Sequence, residues 1–335
     1  MQKGSRLGLF LFILNFNVLT MRVFIFPYLY QEFGVMSYLY ILIMIFALGV
    51  LFLVIPKRVY EFDFTEKYKN SRFKLFYNTL LIIKVILTIY IASLIIKEID
   101  YISYNIFYFI VGITISALLV SRLKNSEIIE ISTWIVMIAI VLYMLAFLHT
   151  VDFDTSLIRV FDFKLPKFAL YLLIIMIYCD NLLLLLTNKE RYQFKKSTII
   201  LPIILQFIFL SFELFQLIFS VGEIFFLDYE WVGFVSLSFQ DVSDYIGNLD
   251  FVYLYICTMA SVLNTSYVLS TIRHSLNKAK LSFDIIVFIL VIGGCYGLIF
   301  VPLGITLKIL FYISILGGVL IFWIGREYIH ARKAR

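Results

Sequence analysis

Charged side chains are scarce in this chain, at 15% of its 335 residues, against about a quarter in an ordinary soluble domain. Proline is rarer, with 5 residues, and cysteine and histidine have 3 each. So little polar sequence leaves no room for a separate soluble domain. The net charge of +6 is scattered over many short segments and forms no nucleic-acid footprint, so no nucleic acid is expected as a partner. Cys179, Cys257 and Cys295 each fall inside an apolar stretch, where they behave as small apolar side chains. Neither a disulfide nor a metal site is expected from them, and no cofactor. His149, His274 and His330 stand at the ends of apolar stretches rather than in one pocket, no Ser or Cys is flanked by a suitable base, and there is no glycine-rich phosphate loop. Enzymatic chemistry is therefore not expected.

What the chain has in abundance is apolar sequence, 62% of its residues. It gathers into ten stretches, at 7–26, 35–55, 75–96, 104–120, 129–148, 168–186, 198–219, 251–272, 283–301 and 305–324. Each is near the ~20 residues a helix needs to cross the hydrocarbon core. None alternates with a period of two, so helices rather than strands are expected to satisfy the backbone in lipid. Of the 28 basic residues, 21 lie at the amino-terminus, the carboxy-terminus and every second gap between stretches. The other gaps hold only Lys97, Arg159, Lys164 and Lys167. Cytoplasmic segments retain positive charge during insertion, which places both termini in the cytoplasm. The first stretch follows Lys3 and Arg6 as a signal peptide would, but it is too long for one. Tyr28, Leu29 and Tyr30 also fill the place of a small-residue cleavage site, so a retained helix is expected.

Two of the longest connections, 56–74 and 220–250, occupy equivalent places if the chain is a single membrane domain over 1–335 made of two five-span units, 1–150 and 167–325. An odd number of spans per unit makes the second enter the bilayer from the opposite side, giving the 5+5 inverted repeat of many secondary transporters. The fold expected is thus an all-α polytopic membrane protein with ten transmembrane helices. In the outer loop 220–250, Val235, Phe239, Val242, Ile246 and Leu249 recur at helical spacing opposite Gln240, Asp241, Ser243 and Asp244, which predicts an amphipathic helix on the outer face. A small-xxx-small pair, Gly293 and Gly297, predicts close packing of the ninth span against the tenth across a short turn at Pro302 to Gly304, with a dimer contact as the alternative.

Ionisable groups inside spans are costly and call for a partner or a purpose. Lys308 is near enough to an outer end to reach the interface. At 1.5 Å per helical residue, Arg22 and Glu213 lie at one depth, ~22 Å from the cytoplasmic side. Lys84 and Asp180 lie lower, within about one turn of each other in depth. Two charge pairs are therefore expected, Arg22 with Glu213 and Lys84 with Asp180. Polar residues share faces nearby: Asn15 with Arg22, Gln206 with Glu213 and Gln216, and Thr258, Ser261 and Thr265 with Asn264 beside them. Such faces either line a cavity for a small solute or make interhelical hydrogen bonds.

The sixth stretch, IMIYCDNLLLLL followed by TNKERYQFKKS, and the segment SLSFQDVSDYIGNLDFVYLYI resemble the corresponding parts of the spore germination permeases. These are the B subunits of germinant receptors, within the amino acid, polyamine and organocation superfamily. Asp180 stands at the family's acidic position, Asp250 stands where the family has glutamate, and Asn248 where it has arginine. In the first span the family breaks its helix at a glycine-rich Gly-x-Gly followed by Leu-Pro. Here Thr20, Met21 and Arg22 occupy those positions, with Phe26 and Pro27 after them, so Arg22 would fill or replace the backbone site. The resemblance implies sensing of a small nutrient of the amino acid class during germination, A and C receptor subunits as partners, and the spore inner membrane, a bacterial plasma membrane, as location. It puts Asn15, Thr20, Arg22, Asp180, Thr258, Ser261 and Thr265 around the ligand. The alternatives are a secondary transporter of amino acids or related solutes, and a membrane-embedded glycan or lipid assembly enzyme.

Overall fold

The computed structural model describes residues 6–19, 36–54, 72–99, 105–149, 200–209, 211, 241–243, 246–248, 250–276, 281–306 and most of 308–319. Within them the chain is helical apart from one small hairpin. The helices are α1 (Arg6–Leu19), α2 (Met36–Val54), α3 (Arg72–Ile99), α4 (Ile106–Val120), α5 (Asn125–His149), α6 (Asp250–Leu276) and α7 (Leu281–Leu298). Two shorter apolar helices occupy Ile200–Phe209 and Leu303–Gly317. Three stretches are long and apolar enough to cross a membrane: Leu75–Lys97 in α3, Asn125–Leu142 in α5, and α7 throughout. They make the chain a candidate integral membrane protein. The expected sixth span and residues 212–240 lie outside the described residues.

Local chemistry sets the ends of these helices. Asn105 precedes α4, and its side-chain oxygen accepts the Phe107 N–H at 3.1 Å, satisfying a donor with no intrahelical acceptor. At the other end Ser121 turns its hydroxyl back to the Leu118 carbonyl at 2.8 Å. Six residues after Ser121, Glu127 reaches back to the Lys124 N–H at 3.0 Å, half of a capping box, and α5 starts. After α7, Pro302 interrupts the helix because it offers no N–H. Its own carbonyl then accepts from Ile305 and Thr306, so the next helix begins at Leu303 and takes in Gly304.

Packing centres on α6, which lies against α1, α3, α4 and α5. α3 also contacts α4 and α7, and α4 contacts α7. On α3 the buried Leu81, Val85, Ile89, Ala92 and Ile96 form one stripe at helical spacing. A smaller cluster joins Leu11 and Leu14 of α1 to Val136 of α5, with Leu205 and Phe209 packed onto it. α5 and α7 are apolar on their outward sides as well: Trp134, Val141, Ile289 and Tyr296 are all exposed. A helix apolar all round belongs where its surroundings are apolar all round.

Two sequence expectations are corrected. The end of the outer loop is a hairpin, not an amphipathic helix: β1 (Asp241–Ser243) pairs antiparallel with β2 (Ile246–Asn248), Asp241 opposite Asn248 and Ser243 opposite Ile246. The segment DVSDYIGN explains it, since Asp, Ser, Gly and Asn favour turns over helix interiors while Val242 and Ile246 suit strands. The second correction concerns glycine. Gly293 and Gly297 are exposed, and a Cβ there would meet no described atom within 4 Å. The close approach is at Gly294, where a Cβ would lie 2.8 Å from Cγ2 of Ile86 on α3. The buried face of α7 runs through Val287, Val291 and Cys295, and Gly294 belongs to that face while its neighbours one residue before and three after do not.

Gly294→Ala is therefore expected to lower the unfolding free energy by about 1–3 kcal/mol, the usual cost of overpacking a tight contact. Gly293→Ala and Gly297→Ala, which have open space around them, should instead raise it by about 0.5–1 kcal/mol. Thermal unfolding of the three variants in one detergent makes the comparison, and equal midpoints would contradict the Ile86 contact.

Candidate functional site

The centre of α6 combines burial with polarity. Ser261, Asn264, Thr265, Ser266, Ser270 and Thr271 are all buried. Several of these hydroxyls bond back to their own helix: Ser261 to the Cys257 carbonyl at 2.6 Å, Thr271 to the Tyr267 carbonyl at 2.8 Å. Such back-bonds satisfy the hydroxyl without a partner helix. Asn264 is different. Its Oδ1 accepts from Nδ2 of Asn15 on α1 at 3.1 Å, a buried bond between residues far apart in sequence. Beside it the Phe12 and Tyr267 rings, on the same two helices, meet at a tilt of 48° with centroids 4.6 Å apart.

This bond leaves chemistry unspent. Among the described residues, Nδ2 of Asn264 and Oγ1 of Thr265 are buried without a hydrogen-bond partner, as is Oγ of Ser93 on α3. A buried polar atom left unpaired costs roughly 1–3 kcal/mol. Asn264 presents a donor and Thr265 a hydroxyl that can donate or accept. A small molecule carrying a carbonyl or carboxylate oxygen would satisfy the amide, whereas a metal ion would not, because an N–H cannot coordinate a cation.

Of the residues expected around a ligand, Asn15 makes the α1–α6 contact through Asn264, Ser261 and Thr265 are buried within one turn of Asn264 on α6, and Thr258 lies two turns before Thr265, partly buried. Lys84 is buried on α3 at 6% exposure. Thr20, Arg22, Asp180 and Glu213 lie outside the described residues, and both expected charge pairs with them. At Asn15 the interhelical hydrogen bond, one of the two meanings open for these polar faces, is the one observed.

A second cluster sits where α4, α5, α6 and α7 end or begin. Asp284, in the first turn of α7, is buried and takes two guanidinium groups. Arg122 approaches with Nε at 3.0 Å and Nη2 at 2.8 Å from Oδ2, and Arg273 bonds Oδ1 through Nη2. Arg273 also donates to the Ser121 hydroxyl at 3.2 Å and lies 5.3 Å from the Phe283 ring centroid, within cation–π range. One turn along α6, Ser270 donates to Oδ1 of Asn125 at 2.5 Å. The sequence reading counted Arg122 and Arg273 only as markers of topology. The overlooked signal was Asp284, an acid at a span start whose flanking loop is otherwise basic.

Compared with known proteins, the chain matches no protein-family model and no curated protein.

Asp284→Ala should destabilise the protein by about 3–5 kcal/mol, because it strands Arg273 in a buried position without a counter-charge. Arg122→Ala should cost much less, about 0–1 kcal/mol, since that side chain is 48% exposed and screened. Chemical unfolding of the two variants checks the ranking. A double-mutant cycle on Asn15→Ala and Asn264→Ala should return a coupling of about 0.6 kcal/mol, and a value of zero would remove the bond from the α1–α6 contact.

Proposed function

We propose that this chain is a permease-fold membrane protein that senses a small solute of the amino acid class where the first span meets the eighth, in the manner of the spore germination permeases. The observation that carries the reading is the buried Asn15–Asn264 contact with an unspent amide donor at Asn264 and an unspent hydroxyl at Thr265. A carboxylate or carbonyl oxygen is the group that such a pair accepts without a metal. The partners on this reading are the A and C receptor subunits, and the location is the spore inner membrane.

The packing supports the ten-span inverted repeat that the reading requires. A two-fold axis relating two five-span units pairs span two with seven, three with eight and four with nine. α3 packs on α6 and α4 on α7, which are the second and third of these pairs. For the first, Gly49 of α2 lies 3.8 Å from Ile203 as a Cβ would see it, and Phe46 and Phe207 meet at 6.4 Å. The same axis turns a contact of span three with nine into one of eight with four, and both occur, as α3 with α7 and α6 with α4. Helix ends agree with the expected sidedness. Arg122 bonds Asp284, and Nδ2 of Asn78 donates to the Ser275 hydroxyl at 3.0 Å, so each pair shares one side of any bilayer. An even number of crossings must separate the partners, as the ten-span order provides.

The test is a titration of the purified full chain with the twenty amino acids, followed by calorimetry. At least one is expected to bind, and Asn264→Leu to weaken it about tenfold, the equivalent of one lost hydrogen bond to a charged group. Binding by none of them would end the sensing reading. Proton- or sodium-dependent uptake of the same solute into proteoliposomes would replace it with transport.

A further inference from the structure

The Asp284 cluster carries more positive charge than it neutralises. One carboxylate faces two guanidiniums, and Nε of Arg273 is buried with no acceptor among the described residues. Exposure is unequal: the side chain of Asp284 is 8% exposed and that of Arg122 48%. An anion arriving from outside therefore meets the guanidinium first, with the carboxylate behind it. Lys124, two residues on, is exposed and gives the same turn a second cation, while Glu127 is occupied as the cap of α5.

The surface on either side of this charge is apolar. Leu119, one turn before Arg122 on α4, is 57% exposed, and Leu281, one turn before Asp284, is 65% exposed. Leu123 and Ile285 are exposed next to the two charged residues themselves. A site for a free anion has no use for four exposed aliphatic side chains at its rim. A half-exposed arginine flanked by them matches a molecule with a phosphate at one end and hydrocarbon at the other. The distribution of basic residues puts this turn on the cytoplasmic side, where juxtamembrane arginine and lysine meet anionic headgroups.

We infer that Arg122, backed by Arg273 and oriented by Asp284, binds the phosphate of an anionic phospholipid at the cytoplasmic ends of α4 and α7, with the acyl chains against Leu119 and Leu281. Asp284 is a positioning residue: its Oδ2 accepts from both Nε and Nη2 of Arg122, which leaves the remaining edge of the guanidinium for an anion. The inference is independent of the solute site, which lies elsewhere on α6.

Native mass spectrometry of the full chain in detergent, with phosphatidylglycerol and phosphatidylcholine added in equal amount, tests it. The expected result is retention of phosphatidylglycerol about fivefold over phosphatidylcholine, reduced to parity in Arg122→Gln and kept at an intermediate ratio in Arg122→Lys. Ten-millimolar inorganic phosphate, a probe concentration of about 10 mM, should leave the wild-type ratio unchanged. Equal retention of the two lipids by the wild type, or an unchanged ratio in a folded Arg122→Gln, overturns the inference. Full competition by inorganic phosphate overturns the lipid assignment in favour of a free-anion site. Circular dichroism establishes that each variant is folded, and Arg122→Lys, which keeps the charge, carries the test if Arg122→Gln is not.

Discussion

The Asp284 carboxylate is the interaction on which much of the described structure depends, because it draws together helix ends that sequence keeps far apart. Arg122 belongs to the turn between α4 and α5, and Arg273 to the last turn of α6. Without the carboxylate, two guanidiniums and the start of α7 would share a confined space with no counter-charge, and desolvation would drive them apart. With it, the ends of α4, α6 and α7 are fixed, and the Ser270–Asn125 bond adds α5. The far reaches of these helices are then held by shape. Gly294 lets α7 settle against Ile86, and Cys295 next to it lies 3.4 Å from the Ile86 carbonyl.

Charge at one end and close fit along the length divide the work in a way suited to an apolar surrounding. Where solvent is as apolar as leucine, burying more leucine brings no helices together, and dispersion, small residues and hydrogen bonds must do so. α6 follows this logic along its whole length. Ser261, Ser266 and Thr271 keep their hydroxyls on its own carbonyls, while Asn264 reaches α1, Ser270 reaches α5 and Ser275 meets α3. On their outward sides α5 and α7 need none of this, and they present Trp134, Ile289 and Tyr296.

How much of this was legible in the sequence depends on whether the signal was local. Apolar length is local, and the helices at 36–54, 72–99, 106–120, 125–149 and 250–276 lie within a few residues of the stretches read from hydropathy. Cap and turn chemistry is local too, but the outer-loop segment misled because Val235 to Leu249 satisfies a helical period by chance. Its Asp, Ser, Gly and Asn content was the stronger indication, and the hairpin followed it. Which face of a helix packs is not local. Gly293 and Gly297 carried the recognised spacing, whereas Gly294 had no pattern of its own and is set by the position of Ile86, more than two hundred residues earlier. The same holds for the site: Asn15 was legible as a polar residue in a span, its partner Asn264 was noted only as a neighbour, and Asp284 gained its meaning from two arginines that seemed to be serving topology alone.

The long reach of the Arg122–Asp284 bond also bears on how the protein is made. The partners are separated by 162 residues, so at the usual ~5–20 residues per second of synthesis the arginine is exposed for on the order of ten seconds before its carboxylate emerges. During that interval Arg122 stands in its turn without the carboxylate that later holds it. The bond also cannot close until both segments stand on one side of the bilayer. A chain that has inserted an odd number of spans between them leaves Arg122 without this carboxylate, whereas Arg273, one short loop away from Asp284, keeps it.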